Sequence, residues 1–219
     1  MAKSLLAPLA AATVVLFAIA LVLIAQAPPE STMGLVQKIF YFHLPSWLGM
    51  YSAIFTCGVA SILVLAKGSA VADRFAVAGA ELAVLFGANG LVTGPLWARK
   101  AWGVWWTWEV RLVSALLLWL VFVAYLIVRR YAGPGSDKLA AAVALFGTAV
   151  SPFVYISVNF WRTMHPKTTV LPTLPTSMGV PMLFSCLAFM ALFGTLLAIR
   201  VRLAERETAL DALYLAYED

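Results

Sequence analysis

From residue 5 to residue 27 the chain runs through 23 positions without a charged side chain, and the pattern returns at 47–66, 75–96, 112–128, 139–160 and 179–199, with Glu81 the single exception. A helix needs about 20 mostly apolar residues to cross the hydrocarbon of a bilayer. Lipid offers backbone N–H and C=O groups no partners, so each run must satisfy its own and is expected to be helical. The expected fold is all-α: a polytopic transmembrane bundle of six helices over residues 1–204, with residues 205–219 as a cytoplasmic C-terminal tail continuing the last helix into water. Only 11% of residues are charged, where a soluble domain carries about a quarter, so membrane lipid is the solvent of this chain. The first run exceeds the apolar core of a secretory signal and ends in Pro28, Pro29 and Glu30 rather than at a small-residue cleavage site, so it counts as a span.

Orientation follows from the basic residues, which favour the cytoplasmic side. Nine fall on one side (Lys3, Lys67, Arg74, Arg129, Arg130, Lys138, Arg200, Arg202, Arg206) and six on the other (Lys38, Arg99, Lys100, Arg111, Arg162, Lys167), which predicts both termini in the cytoplasm. Six outward cations suit an anionic ligand. The net charge of +5 is scattered over span ends without a basic stripe, so nucleic acid is not expected as a partner. Cys57 and Cys186 sit singly in the second and sixth runs, a pattern of buried inert thiols rather than of a disulfide framework or a metal site. No phosphate-binding GxxxxGK[ST] loop occurs. Glu81, inside the third run, is expected to meet a polar partner or water within the bundle; as an intramembrane charge it is also the feature that a transporter of another substrate would show.

The outward segments 28–46, 97–111 and 161–178 hold both histidines, His43 and His165, and six of the eight tryptophans: Trp97, Trp102, Trp105, Trp106, Trp108 and Trp161. In a short helix Trp102, Trp105, Trp106 and Glu109 would share one face, forming an aromatic platform that ends in a carboxylate. An interfacial tryptophan belt would instead be spread over many helix ends and both leaflets. Pro45 is well placed early in the second helix, which puts His43 at the membrane surface. Pro166 biases His165 away from helical geometry, placing it in a loop beyond the fifth run. Two imidazoles above a bundle are good iron ligands, indoles suit an apolar macrocycle, and Arg or Lys suits propionates. The pattern points to haem. A membrane cytochrome b-like electron-transfer subunit is the main rival, but such proteins usually place their histidines within the spans.

The run from Trp102 through Gly103, Trp105, Trp106, Trp108, Glu109 and Arg111 to Leu112 closely resembles the signature WGxxWxWDxRLT of the tryptophan-rich (WWD) haem-handling superfamily. Length, six spans and flanking histidines make the chain similar, within that superfamily, to the haem exporter protein C (CcmC) family of cytochrome c biogenesis. Further likeness lies at 40–45, 92–97 and 157–165. Glu109 replaces the signature aspartate, and Val113 the threonine. The resemblance implies a bacterial inner-membrane protein that is not an enzyme. It implies haem b bound transiently at the periplasmic face, with His43 and His165 as axial ligands and Trp102, Trp105, Trp106, Trp108, Glu109 and Arg111 around it. It further implies delivery to the haem chaperone CcmE, with the ABC-type subunits CcmA and CcmB and the small membrane protein CcmD as partners supplying any ATPase activity.

Overall fold

The computed structural model describes residues 5–31, 33–166 and 171–218, so Lys3, Lys167 and Asp219 lie outside the described residues. Six helices follow in order: α1 (Leu6–Gln26), α2 (Phe40–Lys67), α3 (Ala70–Trp102), α4 (Val110–Tyr131), α5 (Ser136–Ile156) and α6 (Thr176–Glu218). A 3-10 turn at Leu35–Ile39 leads into α2, and another at Ser157–Asn159 extends α5. All six helices are long and apolar enough to span a membrane, and there is no strand among the described residues. The chain is an all-α polytopic bundle, as its apolar runs require.

The ends of α2, α3, α4 and α6 lie beyond the apolar runs, and two of these extensions correct the sequence reading. α2 starts at Phe40, so His43 belongs to its first turn and to a membrane-spanning helix rather than to an outward loop. Pro45 deprives the Tyr41 carbonyl of its helical donor, but the hydroxyl of Ser46 donates to Phe42 O at 2.6 Å and secures the carbonyl next to it. α3 likewise continues through Pro95 as far as Trp102. It stops there because Gly103 takes a left-handed conformation (φ 78°) and donates its N–H to Arg99 O, a common glycine helix stop. The short helix expected to carry Trp102, Trp105, Trp106 and Glu109 on one face is therefore absent: Trp102 closes α3, and Trp105, Trp106 and Trp108 lie in the non-helical connection to α4.

Antiparallel α2 and α3 form the centre of the bundle; α1 packs on α6, α4 on α5, and both α5 and α6 on α2. The two central helices approach closely because Gly79 faces backbone, with a hypothetical Cβ only 2.8 Å from Cys57 N and 2.9 Å from Ala53 O. Around them a core of Phe86, Phe122, Tyr125, Phe189 and Phe193 fills the interior. At the end of the bundle where α3 begins, acids and bases join the helices: Arg129 meets Asp73 at 2.6 Å, Arg74 meets Glu205 at 3.8 Å, and Arg200 grips both carboxylate oxygens of Glu81 at 2.5 and 2.9 Å. The polar partner expected for Glu81 is thus Arg200 of α6. That helix runs on unbroken past residue 204.

Candidate functional site

At the opposite end of the bundle, the start of α2, the last turns of α3, the start of α4 and the segment after α5 enclose two adjoining cavities. The smaller, about 40 Å³, is lined by His43, Trp47, Trp97, Trp102, Trp105, Trp106, Arg111 and His165, with Gly90 and Gly94 among its other walls. The larger, about 250 Å³, shares His43, Trp47, Trp97, Arg111 and His165 and adds Tyr51, Tyr155 and Cys186. The chain thus brings both histidines, three of the four signature tryptophans and Arg111 into one place, although they come from four separate segments.

Hydrogen bonds set the state of each imidazole. Thr93 Oγ1 has one proton and donates it to Asn89 O at 2.7 Å, so at its 2.9 Å contact with His43 Nδ1 it must accept. His43 therefore carries its proton on Nδ1, and its Nε2 lone pair accepts the indole N–H of Trp47 at 3.1 Å. The ring is 8% exposed, with Gly94 beneath it, where a Cβ would come 3.2 Å from His43 Cε1. His165 has the same arrangement: its Nδ1 donates to Pro166 O at 3.0 Å, leaving Nε2 as the acceptor. Burial pushes the His165 pKa below its usual 6.5, and the nearby Arg111 cation pushes it further. Both effects favour the neutral, ligating form.

The remaining signature residues divide. Arg111 donates to Val154 O and has no carboxylate within ion-pair distance among the described residues. Trp97 and Trp106 have buried indole N–H groups without an acceptor there. Glu109 lies outside both cavities; it accepts from Thr163 Oγ1 at 2.6 Å and from Met164 N at 3.1 Å, while His165 N donates to Thr163 Oγ1 at 3.0 Å. The carboxylate thus ties the tryptophan segment to the segment bearing His165. Trp108 is 83% exposed, its ring edge-on to Trp106 at 6.1 Å, and Arg99 lies over Trp105.

Sequence reasoning missed Trp47, Thr93 and the part played by Trp97. The interval of four between His43 and Trp47 signals a shared helix face, but only once His43 is known to be helical.

No cluster of three or more His, Cys, Asp or Glu side chains able to hold a metal occurs among the described residues. Two imidazoles are too few for a bare ion and suit a metal that carries its own in-plane donors. The apolar indole walls, an Arg111 with no carboxylate partner among the described residues and the two orphaned indole donors suit a flat macrocycle with carboxylates at its edge. The donor set fits haem.

The family model described as "Heme exporter protein C" matches residues 1–213. Curated relatives with that name include one from Bradyrhizobium diazoefficiens, 35% identical over 86% of this chain and 74% of the relative, and one from Escherichia coli strain K12, 30% identical over 80% and 73%. A Marchantia polymorpha protein described as cytochrome c biosynthesis ccmC-like and mitochondrial is 29% identical over 84% and 79%.

Proposed function

This chain belongs to the haem exporter protein C family, a membrane protein that handles haem for cytochrome c maturation, and from that premise we propose that it holds haem b transiently between His43 and His165 at the periplasmic face and hands it to the haem chaperone CcmE. The observation that carries this reading is the pair of imidazoles, each protonated on Nδ1 and presenting Nε2 as an acceptor, in one indole-lined site. Engaging the distal N–H of a ligating histidine fixes its tautomer and raises its basicity; Thr93 does so for His43 and the Pro166 carbonyl for His165.

In this reading Trp102, Trp105 and Trp106 supply apolar contact, Arg111 meets a propionate, and Glu109 fixes the approach of the two segments. Exposed Trp108 is available to the recipient. CcmA, CcmB and CcmD are the proposed membrane partners, and the chain itself performs no catalysis.

The test is an absorption spectrum of the purified protein with His43→Ala and His165→Ala. Each substitution removes one coordinate bond, so each should reduce haem occupancy or shift the spectrum, with partial rescue by added imidazole; unchanged spectra in both would remove the histidines as ligands. Trp106→Ala should keep part of the bis-histidine spectrum yet load the chaperone more slowly, because one aromatic contact is worth about 0.5–1.5 kcal/mol while small misplacements can cost transfer ~100-fold. Normal loading by that variant would count against the platform. In this reading both termini are cytoplasmic, so a reporter fused after the C-terminus should be active only there, and periplasmic activity would reverse the orientation.

A further inference from the structure

The Nε2 lone pair of His43, the atom that iron would need, is already in use. Trp47, one turn further along α2, donates its indole N–H to it at 3.1 Å, with the two rings edge-on and their centroids 6.1 Å apart. The alternative tautomer is ruled out because it would set an Nε2–H against the donor-only indole N–H. Thr93 has spent its only proton on Asn89 O, so Nδ1 must be the donor and Nε2 the acceptor. The indole is also seated: Gly90 of α3 lies under it, and a Cβ there would come 2.7 Å from Trp47 Cε2 and 2.9 Å from Nε1.

Trp47 also forms part of the wall shared by the two cavities, about 40 and 250 Å³. Neither volume reaches the roughly 300–1,000 Å³ typical of a small-molecule site. A planar ligand bound to His43 must therefore displace a side chain of the shared wall as well as break the bond on Nε2, and among the described residues Trp47 is the one whose movement does both.

We propose that Trp47 is a displaceable latch: in the ligand-free protein its indole N–H occupies the His43 lone pair and closes the partition between the cavities, and haem enters by exchanging that hydrogen bond for the iron–nitrogen bond. The inference rests on the reading of His43 as an iron ligand. Its consequence is a weakened hold. The hydrogen bond re-forms as the ligand leaves, so the empty state is stabilised and release is assisted, which suits a carrier that must part with its cargo.

Because the chain has only two histidines, ¹⁵N-histidine NMR of the ligand-free protein reads the bond directly. In Trp47→Phe the Nε2 resonance of His43 should move while its Nδ1 stays protonated. Loss of bound haem to excess apomyoglobin should become roughly 2- to 10-fold slower, the size of one net neutral hydrogen bond. Gly90→Ala, which pushes the indole off its seat, should change both readouts in the same direction and serves if Trp47→Phe does not fold. His43→Ala separates the two ideas: if it leaves the haem spectrum unchanged, the ligand assignment falls and the latch with it. If it changes the spectrum, but Trp47→Phe and Gly90→Ala leave the resonance and the loss rate unchanged or speed the loss, the latch alone is overturned and Trp47 is an ordinary wall of the site.

Discussion

The carboxylate of Glu109 reaches two groups of the segment that carries His165, and a single methylene separates it from the aspartate of the family signature. Glu109→Ala should free both partners. The Met164 amide should then exchange with deuterium ~10-fold faster, the effect of losing about 1.4 kcal/mol from a charge-assisted bond, and haem occupancy should fall partway toward that of His165→Ala. Unchanged exchange would mean that other contacts hold the segment. Glu109, both histidines and the tryptophans were legible as a group because their residue types are rare and gathered on one side of the bundle. Their individual contacts were not. Trp108 reads like its neighbours in the sequence yet lies in the open, and Trp47 reads as one more apolar residue of a span until the neighbouring histidine is placed on the same helix.

Glycines let helices α2 and α3 pack closely, and Gly79 is the position in that contact with backbone directly opposite it. Gly79→Ala has to separate the pair by a fraction of an ångström, and overpacking of this kind costs about 1–3 kcal/mol; unfolding in detergent should show the loss, and an unaltered midpoint would mean that the pair has slack. Six elements were legible because a membrane sets a minimum length on any spanning helix. Their ends were not legible, because hydropathy marks where lipid surrounds a helix rather than where its hydrogen bonds stop. Leu96 through Trp102 remain helical with two cations among them, and α2 absorbs Pro45 with the help of one serine.

Among the described residues the ion pairs lie at one end of the bundle and both histidines at the other. Glu81→Gln should therefore weaken the fold without touching the site: about 1–3 kcal/mol less stability, below the range for a fully buried pair because Glu81 and Arg200 are 32% and 31% exposed, with the haem spectrum unchanged. A shifted spectrum would reveal coupling between the ends. The partnership of Glu81 with Arg200 joins residues 119 positions apart, a distance over which no local pattern in the chain speaks. The site itself is asymmetric. His43 rides a spanning helix steadied by Thr93 of α3, whereas His165 sits on a non-helical segment tied to the start of α4 by the Glu109 carboxylate. A ligand held between them would therefore meet a wall built into the bundle on the His43 side and a tethered segment on the His165 side.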